Sequence, residues 1–88
     1  MNLLRTSQFK KDYKRIKKQG KDLEGLRLVI ALLLDRELLP EKYSDHNLSG
    51  KWKKHRECHI LPDWLLIYRI DGDDLILERT GSHSELFR

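Results

Sequence analysis

The stretch from residue 54 to residue 80 leaves this chain few ways to fold. It reads as three consecutive strands, 54–61, 64–70 and 75–80. Pro62-Asp63 breaks the first from the second, and Asp71-Gly72-Asp73-Asp74 is a strong hairpin signal between the second and third. The middle run carries Leu65, Leu66 and Ile67 in succession, so it is apolar on both faces. A strand of that kind belongs at the centre of a sheet, with helices to cover it.

The first half supplies such helices. Residues 2–5 read as a short strand, and Thr6 or Ser7 can cap the helix that follows. Phe9, Tyr13 and Ile16 recur at helical spacing, and Gly20 suits the stop. A second helix carries the wide stripe Leu23, Leu26, Val29, Ile30, Leu33 and Leu34, with Pro40 marking its latest possible end. Residues 41–54 are polar and turn-rich, with Gly50 as hinge, and form a loop that carries His46. The expected order is β-α-α-β-β-β: an α+β fold with two N-terminal helices packed on a small antiparallel sheet, in one domain spanning 1–88.

Charge and cysteine content narrow the setting. Residues 1–21 hold eight basic side chains against the single acid Asp12, whereas the remainder is net acidic. A basic block on one element favours phosphates or an acidic partner, although a solvated helix face would look the same. The lone Cys58 has no partner for a disulfide, which points to a reducing, cytoplasmic setting. No apolar run is long enough to span a bilayer, so no membrane role is expected.

The residues able to carry chemistry gather in the second half: His46, His59, Asp63, Arg79, His83 and Phe87. Imidazoles, a carboxylate, a guanidinium and a ring are what moving protons around a phosphodiester requires, with no cofactor. His59 and Asp63 flank one turn, where a carboxylate favours the charged imidazole or fixes its tautomer. Strand alternation puts Arg79 with Leu75 and Leu77, so its guanidinium needs an anion, either a substrate phosphate or a carboxylate such as Glu57 or Glu78. Phe87 either plugs the core or stacks on a base, Trp64 carries the same ambiguity, and Trp52 is assigned to loop packing. Lys51, Lys53, Lys54 and Arg56 add a basic cluster that favours an RNA backbone as ligand. His55 and His59 have a spacing known from metal-binding helices, but four residues of strand span about 13 Å, too far for one metal. His46, His59, His83 and Asp63 leave a zinc site open by spacing, but no tight two-ligand motif nucleates it, so no metal and no cofactor is expected.

The strings Asp45-His46-Asn47-Leu48, Gly50-Lys51-Trp52, His59-Ile60-Leu61-Pro62-Asp63-Trp64 and Glu78-Arg79-Thr80-Gly81-Ser82-His83-Ser84-Glu85-Leu86-Phe87 resemble the YafQ-type branch of the RelE/ParE toxin superfamily. The resemblance implies a bacterial type II toxin: a ribosome-dependent endoribonuclease that cuts mRNA in the A site and is neutralised by a proteic antitoxin. It places the family's functional positions on His46, His59, Asp63, Trp64, Arg79, His83 and Phe87. The implied chemistry is metal-independent acid–base cleavage, with His83 leading, Asp63 and His59 as base, and Arg79 stabilising charge. His46 would orient the phosphate or share proton transfer, Trp64 and Phe87 would hold the base or pack the site, and Lys51 and Lys53 would hold RNA. The ParE branch poisons DNA gyrase without cutting RNA, so a non-enzymatic inhibitor is the alternative, since fold alone does not license nuclease activity.

Overall fold

The computed structural model describes residues 1–87; Arg88, the last residue of the expected domain, lies outside the described residues. The chain runs β1 (Asn2–Arg5), α1 (Ser7–Lys18), α2 (Leu23–Leu34), β2 (His46–Asn47), β3 (Arg56–Leu61), β4 (Trp64–Asp71), β5 (Asp74–Gly81) and α3 (His83–Leu86), with short 3-10 turns at Glu41–Tyr43 and Gly50–Trp52. The strands form one sheet in the order β1-β5-β4-β3-β2. The α+β class and the sequence order of the main elements are as expected. The sheet itself is mixed, because β1 pairs parallel to β5 through Leu3 with Leu75 and Arg5 with Leu77. A parallel pair requires a long connection, and here it is the whole run from α1 and α2 through β2, β3 and β4.

Local chemistry explains each boundary. Thr6 caps α1 by accepting the Phe9 amide at 3.0 Å, and Asp22 caps α2 by accepting the Glu24 amide at 3.0 Å. α2 ends at Leu34, well before Pro40, because Arg36 adopts a left-handed backbone with φ of 57°. Two-residue turns join Leu61 to Trp64 and Asp71 to Asp74, the latter with Gly72 at φ of 59°.

Both helices lie on one face of the sheet. There Phe9, Ile16, Leu26, Val29 and Leu33 meet Cys58, Trp64, Leu66, Tyr68, Leu75 and Leu77 in the main core. Burial pushes the Cys58 thiol up to about 12, which rules it out as a nucleophile. The opposite face carries a smaller cluster of Leu65, Ile67 and Leu86, with Leu48 and Trp52 packed against it. The central strand β4 is therefore covered on both sides as anticipated, but a loop and one short helix turn cover the second side, not a helical layer.

Two bulges interrupt the strand register, one between His59 and Leu61 and one between Ile67 and Tyr68 opposite β5. The second corrects the expected placement of Arg79. Glu78 is the extra residue, so Leu77 opposes Tyr68 while Arg79 opposes Ile67. Arg79 thus leaves the row of Leu75 and Leu77 and joins the face that carries the smaller cluster.

One acid is buried in the helical layer. Asp12 is fully buried, and accepts from Arg79 Nε at 2.7 Å, Arg79 Nη2 at 3.2 Å, Arg15 Nη1 at 2.9 Å and the Thr80 amide at 3.2 Å. Burial alone would raise its carboxyl, but the bonds from Arg79, Thr80 and Arg15 outweigh it and hold the group below the ordinary 3.8. The amide of Ser82 acts first in holding Glu85 below its ordinary 4.5. Depressed folded values stabilise the fold above the unfolded values, and that contribution is lost as pH falls through the folded ones. In urea titrations at stepped pH, the contribution of these two groups should be constant down to about pH 5 and decline below that. A midpoint that holds steady far below that window would contradict the assignment.

Candidate active site

Cross-strand register assembles the site before any side-chain detail is considered. His46 on β2 opposes Glu57 on β3, Glu57 opposes Ile67 on β4, and Ile67 opposes Arg79 on β5. One row across four strands therefore carries an imidazole, a carboxylate and a guanidinium on the same face. In the next row His59 opposes Leu65, which opposes Gly81, and the chain then turns into α3 with His83 at its start. Ser82 caps that turn, its hydroxyl accepting the Glu85 amide while the Glu85 carboxylate accepts the Ser82 amide.

The rings form a continuous line. His46 and His59 have centroids 6.3 Å apart, His59 and His83 5.9 Å, and His83 and Phe87 5.8 Å. Trp52 closes the line edge-on to Phe87 at 6.4 Å. Imidazoles separated by up to 37 positions in sequence thus share one surface.

Hydrogen bonds give each imidazole a different condition. His46 Nδ1 lies 2.7 Å from the Ser44 carbonyl oxygen, and Nε2 lies 2.8 Å from Glu57 Oε2. A carbonyl only accepts, so Nδ1 carries the hydrogen there, and Nε2 faces the Glu57 carboxylate. Both nitrogens of His46 are therefore engaged by protein oxygens. His59 Nδ1 donates to the Pro62 carbonyl at 3.3 Å, which leaves Nε2 as the basic nitrogen of a neutral ring. Asp63 serves His83: its Oδ1 accepts the His83 amide at 3.3 Å and stands 3.8 Å from His83 Nδ1. The expected pairing of Asp63 with His59 is therefore corrected.

A family model described as a bacterial toxin of a type II toxin–antitoxin system, YafQ, matches residues 1–88. The chain belongs to the YafQ family. The mRNA interferase toxin YafQ of Escherichia coli K12 is 43% identical over 83 residues, covering 93% of this chain and 90% of that protein. A copper-bound mutant toxin from Helicobacter pylori superposes with a TM-score of 0.95 at 46% identity, covering 99% of both chains. The toxin in the E. coli DinJ–YafQ complex superposes with a TM-score of 0.93 at 40% identity, covering 99% of this chain and 98% of that one.

Not every expected residue of this YafQ family member reaches the surface line. Trp64 does not: it is buried in the main core, and its Nε1 donates to Thr80 Oγ1 at 2.9 Å. Of its two expected roles, holding a base and packing the site, this buried position leaves it no exposed face for a base. Arg56 is also withdrawn from the basic cluster, because its guanidinium donates to Asp45 and Asn47. Lys51, Lys53 and Lys54 remain exposed, in and just after the turn that carries Trp52. Trp52 itself bridges loop packing and site, since it packs on the smaller cluster and meets Phe87. Phe87 is exposed at the end of the ring line, not plugged into the core.

Asp12 escaped the sequence reading, and Glu57 was read only as a partner for Arg79 and not as part of the histidine line. Glu57 is buried, and among the described residues its Oε1 has no hydrogen-bond partner while standing 4.0 Å from His83 Nε2. The signal was its position two residues before His59, which puts both on one strand face. Asp12 falls three residues after Phe9 and four before Ile16, inside the apolar stripe of its helix, where an unpaired acid has no place. The carboxylates proposed for Arg79, Glu57 and Glu78, are engaged elsewhere; Glu78 binds Arg69 and His55.

Proposed function

We propose that this toxin is an endoribonuclease that cuts mRNA on the ribosome, in the A site, by metal-independent acid–base chemistry. The observation that carries the reading is the line His46–His59–His83 with a carboxylate at His83. The E. coli relative's name, mRNA interferase, supports it. In this reading the RNA 2′-hydroxyl attacks the adjacent phosphorus and the bond from phosphorus to the 5′-oxygen breaks. The products are a 2′,3′-cyclic phosphate and a free 5′-hydroxyl.

The roles follow from the hydrogen bonding. His59 Nε2 takes the proton from the 2′-hydroxyl, a role the family resemblance assigns chiefly to Asp63. His83 gives a proton to the departing 5′-oxygen, and Asp63, 3.8 Å from its Nδ1, orients the ring for that transfer. Arg79 meets the charge that develops on the phosphoryl oxygens. His46, protonated at Nδ1 and bound to Glu57, orients the phosphate. Phe87 offers an exposed face for a base, and Lys51 and Lys53 contact the RNA backbone.

The toxin acts in the cytoplasm, where its target is, and a cognate proteic antitoxin neutralises it. The E. coli complex with DinJ supports that partner. Among the described residues no helix is long and apolar enough to cross a membrane. The test is incubation with programmed ribosomes, with and without chelator, followed by mapping of the mRNA ends. Cyclic phosphate ends in chelator are expected. Loss of cutting in chelator would put a metal in the mechanism, and arrest of gyrase with intact mRNA would favour the non-enzymatic alternative.

A further inference from the structure

We propose that Asp12 is the positioning residue for Arg79, and that Asp12 and Arg15 of α1 together replace a neighbouring strand along the catalytic end of β5. The inference rests on the role given above to Arg79.

β1 supports β5 only as far as Leu77. Its last contributions are the Thr6 amide to the Leu77 carbonyl at 3.1 Å and the Thr6 hydroxyl to the Glu78 carbonyl at 2.9 Å. Beyond that point β5 would have an open edge, at the segment that carries Arg79 and leads into His83. Side chains of α1 take over there. Asp12 Oδ2 accepts the Thr80 amide at 3.2 Å, and Arg15 Nη2 donates to the Thr80 carbonyl at 2.9 Å. One residue of β5 thus has both peptide groups satisfied by a helix, as a paired strand would satisfy them.

The same two side chains fix what lies on either side of Thr80. Towards the sheet, Asp12 grips Arg79 through both Nε and Nη2, a two-point contact that sets the plane of the guanidinium. Nη1 has no protein partner among the described residues and remains available to an anion. Towards α3, Arg15 Nε stands 3.0 Å from Glu85 Oε2, the same carboxylate that completes the cap of the His83 turn. Gly81 passes so close that a Cβ there would stand 2.5 Å from Arg15 Nη2. Arg79 and the His83 turn are thereby referenced to one buried acid.

The test compares Asp12→Asn, Arg79→Ala and the double variant in ribosome-programmed cleavage. An asparagine keeps the size but cannot receive two guanidinium donors and an amide. Asp12→Asn should lower kcat by roughly tenfold or more with KM little changed, because Arg79 acts on charge formed in the transition state. In the Arg79→Ala background the same change should cost nothing further. Asp12→Asn with the kcat of the unsubstituted protein, beside an impaired Arg79→Ala, would overturn the positioning alone. Full activity in Arg79→Ala would overturn both the positioning and the role of Arg79, and losses that multiply in the double variant would show that Asp12 acts elsewhere. Should Asp12→Asn not fold, proton exchange in the unsubstituted protein decides. The Arg79 Nε proton should exchange far more slowly than that of the exposed Arg5, and equal rates would overturn the proposal.

Discussion

His83→Ala should cut mRNA cleavage on ribosomes by about a hundredfold or more while leaving the chain folded. The size of the effect follows from the loss of a proton donor at the 5′-oxygen, a poor leaving group without one. Little stability is at stake, because the side chain is 56% exposed and α3 is held by the Ser82–Glu85 cap and the contact of the His83 amide with Asp63. Alanine preserves those backbone bonds. Purified variant should therefore bind its antitoxin and unfold in urea at the same midpoint as the unsubstituted toxin. If the folded variant still cuts at the original rate, the acid lies elsewhere in the line.

The second large effect is on stability. Trp64→Ala should destabilise the protein by about 3–5 kcal/mol, as removal of a large buried ring does. Trp64 is 1% exposed, sits in the main core and has Lys21 Nζ 5.8 Å above its ring. Small domains hold only about 5–15 kcal/mol in total, so this variant should be close to unfolded at physiological temperature. Trp64→Phe separates packing from substrate binding. It keeps an aromatic ring but leaves Thr80 Oγ1 without its donor, at a cost of about 1–3 kcal/mol. Cleavage per folded molecule should then match the unsubstituted toxin. A folded Trp64→Phe that no longer cuts would return the indole to the substrate.

Trp64 also shows the limit of reading from sequence. Apolar alternation, turn residues and caps located every main helix and strand of the fold, since those signals are local to a few residues. The pairing of β1 was not local. Residues 2–5 carry no mark of whether they join β2, β5 or another chain, and only the long packed connection from α1 through β4 put them parallel to β5. The bulge at Glu78 was equally hidden, and it alone moves Arg79 from the helix-side row to the row of Glu57 and His46.

For the site, the sequence determined its ingredients: three imidazoles, Asp63, Arg79 and Phe87 at sheet ends and turns, together with the motifs that mark the family. Tertiary structure decided their states. Whether an imidazole can serve as base, as acid or as an orienting group depends on which oxygens face its two nitrogens, and those oxygens come from Ser44, Glu57, Pro62 and Asp63 only after folding. The carboxylate for Arg79 came from a helix 67 positions away. Hydrogen bonds act over about 3 Å, whereas sequence patterns report only which face of an element a residue occupies.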